Sequence, residues 1–377
     1  MKYNKPMKLK RLNLIDYRNC ESLELNFDKT KALIIGKNAQ GKTNILESIY
    51  FMSTLKTPRT SSIQELIRFG SEYFKIDADV TKSGTDIDLS YSYNTEKKRE
   101  IKVNQNKATI KDFKSVLETV LFSTRDLLLL RGAPQDRRDW LDGAISQIYP
   151  AYDDRLTKYD KIRIQKNNYY KESAKTGIVD NTLLDVLNEQ LSIAGSNIIY
   201  IRLKYLKEIE RLAREKHKTI SETEDLSLVY DCNFLDTQKE NLEIEEIQQE
   251  FKRALLERKE EEYRRCQACV GPHRDDLQFY INGQEATKYA SQGQQRTIVL
   301  ALKLSELDMI TEKTGDEPIL LLDDVLAELD DLRQNYLLKS INQNTQTIIT
   351  SVDTILFEDE FLKDVEIFKI ENGRISC

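Results

Sequence analysis

The stretch "ALIIGKNAQGKTNILESIYF", from Ala32 to Phe51, constrains this chain more than any other. An apolar run, a small-residue loop and a helical pattern follow one another, and the loop fits G-x-x-x-x-G-K-[ST] at Gly36, Gly41, Lys42 and Thr43. Glycine accepts the torsions that turn successive N–H groups to one side. The backbone from Gly36 through Lys37, Asn38, Ala39 and Gln40 to Gly41 can therefore curl around phosphate oxygens. The helix that follows offers its positive N-terminal end to the same anion. Lys42 is expected to reach the β and γ phosphates, and the Thr43 hydroxyl to ligate Mg²⁺. This loop does not choose between adenine and guanine.

A nucleotide machine needs an acidic strand elsewhere, and "PILLLDDVLAELDD" supplies one. Ile319 to Leu322 reads as a buried strand ending in Asp323 and Asp324. The first carboxylate is placed to hold the metal through its water shell. The second is placed to orient or deprotonate a water that attacks the γ phosphate. A strand stop followed by a helix cap explains the same residues without chemistry. The loop upstream favours the catalytic reading.

"YASQGQQRTIVLALKLSEL" opens a helix with a capping box, Ser291 followed by Gln294. A well-capped core helix accounts for this pattern. Ser291, Gly293 and Gln294 also make a polar, glycine-containing helix start suited to phosphate.

With 377 residues the chain can hold two domains or one large core. No apolar run approaches the roughly 20 residues of a membrane span. The basic N-terminus lacks the apolar segment of a secretory signal, and Met7 is an alternative start for the opening strand. A cytoplasmic protein without a membrane partner is expected. The five cysteines are odd in number and scattered, unlike a disulfide framework. Cys266 and Cys269 form a CxxC with His273 beyond, which raises zinc, but a closed site needs four ligands. Two helical cysteines are the favoured reading. A net charge of −6 argues against a uniformly basic nucleic-acid binder, though not against local basic patches.

Residues 8–130 read mainly as strands with turns at Arg18 to Glu21, "KSGTD", "NTEKK" and "NQNK". Beyond a Gly-Pro break at Gly132 to Pro134 the chain becomes charged and helical. Leu187, Leu191, Ala194, Ile198, Ile201, Tyr205, Ile209 and Leu212 recur at steps of three and four, as on a bundle helix. From Gly271 the α/β texture returns, with a hairpin turn at Asn282 and Gly283. The expected architecture is α/β, with 1–132 and 270–377 as the nucleotide-binding lobe and 133–269 as a helical insert.

A phosphate loop, a large insertion and a Ser-x-Gly-Gln helix start before an acidic strand together resemble the ABC-type ATPases. "RGAPQDRRDWLD", "GPHRDDLQFYINGQ" and "SQGQQRTIVLALKLSEL" narrow the resemblance to the RecF family, bacterial DNA repair and replication proteins related to the SMC heads. It covers almost the whole chain, although the helical insert outside "RRDWLD" matches only in texture. The resemblance implies an ABC-type P-loop ATPase head, with mixed sheets, helices and a helical second lobe. It implies ATP with Mg²⁺ as ligand and an ATP-dependent homodimer, Ser291 and Gly293 of one copy addressing the γ phosphate held by the other. Leu326 to Asp330 would be the D-loop at that interface. Arg18 and Asn19 match the family's Arg-Asn pair and would approach the nucleotide, although a surface turn accounts for them equally.

The implied function is DNA binding, on single and double strands and at gap junctions. With RecO and RecR it would assist RecA loading in repair, recovery of replication and the SOS response. Asp324 is one methylene shorter than the glutamate of most ABC proteins, so weak ATPase activity is expected. "LFSTRDLLL" has no coupling glutamine, which leaves Ser123 or Asp126 as stand-ins, and "TIITSVD" offers Thr350 and Ser351 but no switch histidine.

Arg137, Arg138, Arg202, Lys204, Lys207, Arg211, Arg214, Lys216 and Lys218 form the candidate DNA surface, with a solvated helix face as the alternative. A transporter-type ATPase would carry a shorter insert, a switch histidine and a coupling glutamine. A nuclease-coupled ATPase would need an appended acidic domain.

Overall fold

The computed structural model describes residues 5–239, 241–341 and 343–376. The chain forms two compact units, 1–126 with 299–377, and 127–298. These limits differ from those expected at 132 and 270. The reason is a sheet that crosses the expected boundary: strand Leu226–Asp231 pairs antiparallel with Asp276–Ile281, which keeps the latter within the second unit.

In the first unit, a six-stranded sheet carries the phosphate loop. Its order is Arg374–Ile375, Val365–Glu371, Lys31–Ile35, Thr347–Ser351, Ile319–Asp323, Thr119–Ser123. Apart from the antiparallel edge Arg374–Ile375, neighbouring strands run parallel. The strand Ile319–Asp323 is buried through Leu322, as its unbroken apolar run requires of a parallel strand covered on both faces. Helix Lys42–Thr54 packs on this sheet.

A second, antiparallel sheet has the order Cys20–Asn26, Lys8–Tyr17, Tyr73–Lys82, Thr85–Asn94, Arg99–Val103, Asn106–Lys107. Alternation along Tyr73–Lys82 places Phe74, Ile76, Ala78 and Val80 in the core, where Phe74, Tyr91 and Phe51 pack ring against ring. Its connections carry the left-handed residues a tight hairpin needs, Ser83 with Gly84 and Asn104 with Gln105.

The second unit is built on helix Asn181–Ile220, with Ala151–Thr176 and Ile244–Glu257 packed against it. Leu187, Leu191, Ile198, Tyr205, Ile209 and Leu212 are buried along the expected stripe. The hairpin turn at Asn282 and Gly283 has positive φ at both residues. Cys266 has φ 50° and caps helix Lys259–Arg265, and Cys269 lies beyond the helix, so the two cysteines are not both helical. His273 is engaged between the Tyr159 hydroxyl at 2.7 Å and the Ala268 carbonyl at 3.1 Å. Among the described residues no helix is long and apolar enough to cross a membrane.

Candidate nucleotide site

The phosphate loop joins strand Lys31–Ile35 to helix Lys42–Thr54. Two residues adopt left-handed backbone, Ala39 at φ 65° and Gly41 at φ 109°. At Gly36 a Cβ would lie 2.4 Å from the Ile370 carbonyl oxygen, so only glycine fits beside that strand. Lys37, Asn38 and Ala39 are exposed. Gly41 caps the helix without a side-chain acceptor, leaving the first-turn N–H groups to another partner. That donor set fits an anion. The buried Lys42 ammonium rests on the carbonyls of Gly36 at 2.8 Å and Lys37 at 3.3 Å, a cation held over the loop by neutral acceptors.

The acidic strand end meets this loop. Thr43 Oγ1 donates to Asp323 Oδ1 at 2.9 Å, and Thr350 Oγ1 donates to the same oxygen at 2.9 Å. Burial raises the Asp323 carboxyl above the usual range, and the two hydroxyls oppose that shift. A hydroxyl and a carboxylate oxygen at this distance are the hard donors that Mg²⁺ takes. Asp324 sits at φ 52°, and its N–H donates to Thr350 Oγ1 at 2.9 Å. Thr350 thus organises both aspartates. Its sequence position gave it only as a switch-strand hydroxyl.

Around the loop, Asn19 Nδ2 donates to the Gln40 carbonyl at 3.3 Å, and Asn19 Oδ1 accepts from Asn44 at 2.7 Å. Arg18 turns instead to Glu47, with bonds of 3.0 and 2.8 Å, and donates to the Glu65 carbonyl at 3.2 Å. Glu47 is buried on the loop helix, a carboxylate that sequence reasoning passed over. Asp126 Oδ2 accepts from the Ser123 N–H at 2.6 Å, and its other oxygen pairs with buried Lys303 at 3.0 Å. Burial alone would lower the Lys303 ammonium, but Asp126 and Glu306 outweigh it and hold it above its ordinary range.

In the second unit the helix start at Ser291 closes as a reciprocal cap. The Ser291 N–H donates to Gln294 Oε1 at 2.7 Å, and the Gln294 N–H donates to Ser291 Oγ at 3.2 Å. Gln294 Nε2 also donates to Glu224 at 2.8 Å. Ser291 remains exposed.

The expected basic surface is smaller than the sequence suggests. Arg202 is 2% exposed and spends its donors on Asp142, Tyr152, Tyr230 and the Pro272 carbonyl. Arg137 is buried and forms a two-pronged pair with Asp276, both bonds at 2.7 Å. Arg138 donates to the Asp275 carbonyl at 2.7 Å, and Arg214 pairs with Asp225. Lys204, Lys207, Arg211 and Lys218 stay exposed on the long helix.

Comparison with known proteins defines the class first. The family model RecF/RecN/SMC N terminal domain matches residues 8–376. An Smc head domain with an extended coiled coil from Pyrococcus furiosus shares the fold, at TM-score 0.55 and 14% identity over 98% of this chain and 95% of that one. The protein is an ABC-type ATPase head of the SMC kind. It is 39% identical to the DNA replication and repair protein RecF of Bacillus subtilis (strain 168), over 98% of this chain and 100% of that protein. A solved structure of the recombination mediator protein RecF with ATP in the RecFOR pathway is 34% identical, with TM-score 0.91, over 99% of this chain and 98% of that one. The chain belongs to the RecF family of DNA replication and repair proteins.

Proposed function

We propose that this protein is an ATP-dependent DNA-binding switch. Two copies close on two ATP molecules, each gripped by the Gly36–Thr43 loop of one copy and the Ser291 helix start of the other. The contact between Thr43 Oγ1 and Asp323 Oδ1 carries the reading, because it joins the loop to the acidic strand and so brings together the groups that would hold a metal-bound triphosphate. Thr43 and Asp323 would hold Mg²⁺, which would supply charge neutralisation for the phosphates. Lys42 exchanges its carbonyl partners for phosphate oxygens. Asp324 orients the attacking water, and its short side chain keeps hydrolysis slow. Ser291, exposed and pinned by its cap, keeps its hydroxyl proton to donate to the γ phosphate across the dimer. Hydrolysis removes the contact made from both sides, which releases the dimer.

The family's replication and repair role supports a DNA partner. We assign single- and double-stranded DNA and their gap junctions as ligand, with RecO and RecR assisting RecA loading. Exposed Lys204, Lys207, Arg211 and Lys218 are the candidate contacts. Sedimentation with ATP, ADP or no nucleotide, with and without gapped DNA, tests the proposal. A dimer is expected with ATP alone, tightened by DNA. A monomer under every condition would overturn it.

A further inference from the structure

The phosphate loop leans on a hairpin that comes more than three hundred residues later. Strand Val365–Glu371 turns back into Arg374–Ile375 through Asn372 and Gly373, at φ 50° and 73°, a two-residue turn with both torsions left-handed. The Gly373 N–H donates to the Gln40 carbonyl at 2.9 Å, the acceptor that Asn19 also reaches. The Asn372 N–H donates to Gln40 Oε1 at 2.6 Å. A Cβ on Gly373 would lie 2.6 Å from the Asn19 carbonyl oxygen, so hairpin, loop and opening turn meet at backbone contact. The same strand confines the loop's other end, where Gly36 abuts the Ile370 carbonyl. An ion pair between Arg374 and Glu21 fastens the hairpin to the opening strands.

A trans peptide is planar, with its C=O and N–H pointing in opposite directions. Two donors that hold the Gln40 carbonyl toward the hairpin therefore aim the Gly41 N–H the other way. We propose that the Asn372–Gly373 turn is a positioning element for nucleotide, fixing the Gln40–Gly41 peptide so that the Gly41 N–H is presented to a bound phosphate. This inference rests on the phosphate-loop reading above. The turn touches no phosphate itself. It removes a peptide flip that the loop would otherwise undergo before binding, so its loss appears as weaker nucleotide affinity.

The test is a fluorescent ATP analogue titrated against the full chain with Mg²⁺, together with amide hydrogen exchange over residues 36–43 and thermal unfolding without nucleotide. Gly373→Ala disturbs the hairpin side, and Gln40→Leu removes the side-chain acceptor while sparing the turn. Each is expected to weaken binding by about tenfold, the loss of one well-placed hydrogen bond. Nucleotide should protect the Gly41 amide less in both variants, while the unfolding midpoint without nucleotide should hold in Gln40→Leu and fall in Gly373→Ala, whose added Cβ meets the Asn19 carbonyl. Should Gly373→Ala fail to fold, Gln40→Leu decides. Wild-type affinity in the folded variants, or weaker binding by Gln40→Leu that merely tracks lost thermal stability, overturns the inference. Failure of the wild-type protein to bind the analogue would instead refute the phosphate-loop reading itself.

Discussion

Thr43 and Asp323 lie 280 positions apart in the chain, yet their side-chain oxygens are 2.9 Å apart. One hydroxyl from the loop helix and one carboxylate from a buried parallel strand thus share a hydrogen bond beside the Gly36–Thr43 loop. Asp323→Ala is expected to weaken Mg²⁺-dependent ATP binding by tenfold to a hundredfold, the usual loss when a metal-site partner goes. Titrations with and without Mg²⁺ read this, and an unchanged metal dependence would remove Asp323 from the site.

Lys42→Ala should abolish both ATP binding and ATP-driven dimerisation. The buried ammonium now rests on two carbonyls, and no neighbouring cation on the loop helix replaces it. Equilibrium binding followed by sedimentation separates the two effects.

Ser291→Arg should leave nucleotide affinity within about twofold, because the side chain is exposed and its capping interaction contributes only about 1 kcal/mol. Dimer formation should stop. A normal dimer with ATP would rule out the shared-nucleotide arrangement.

Asp324→Asn keeps the shape and removes the base, so the ATP-bound dimer should persist as turnover falls by about 10²–10⁴, the usual share of a general base. Phosphate release and dimer lifetime measured on one sample read both. Unchanged turnover would point to a different base.

Arg202→Met and the exposed lysines are expected to separate stability from DNA binding. Truncating Arg202 leaves half-buried Asp142 with only the Tyr152 hydroxyl and strips the Pro272 carbonyl of its donor, at a cost of about 3 kcal/mol in folding. Lys204→Ala and Lys207→Ala should keep the fold and lower the slope of log affinity against log salt by about one for each phosphate contact removed. Unchanged slopes would move the DNA surface elsewhere.

The acid side of the stability profile is expected to follow His273. Burial lowers its imidazole to about 3, with the Ala268 carbonyl opposing, whereas the unfolded chain titrates near 6.5. The unfolded state therefore binds the extra proton between those values. Stability from this group is complete above about pH 6.5 and falls as pH drops toward 3, at up to about 1.4 kcal/mol per pH unit. Asp275 works the other way. Burial raises its carboxyl to about 7, despite the Tyr230 hydroxyl and Arg202, so its folded form is favoured while protonated and loses stability as pH rises from about 4 to 7. Urea midpoints of His273→Gln and Asp275→Asn across this range should each remove one of the opposing slopes.

Local pattern made much of this structure readable in advance. The capping box at Ser291, the turn at Asn282 and Gly283 and the buried strand before Asp323 all rest on neighbours within a few residues. Relationships that depend on distant partners were not readable. Arg202 lies among surface-type charges in the helix pattern, and nothing near it announces Asp142 or the Pro272 carbonyl. The unit limits moved because two strands of the second unit pair across a long helical stretch. At the loop, the residue types foretold the glycine-dependent backbone at Gly36 and Gly41, whereas the grip on Gln40 from Asn372 crosses 332 positions and leaves no local trace.

The strand Lys31–Ile35 is flanked by Thr347–Ser351 on one side and Val365–Glu371 on the other. During synthesis it therefore emerges with both edges unpaired, and its partners follow more than three hundred residues later. At ordinary elongation rates that interval is roughly 15–60 s, during which an apolar ribbon with two open edges is exposed to misassociation. The nascent chain must keep this central strand sheltered until residues 347–371 have left the ribosome.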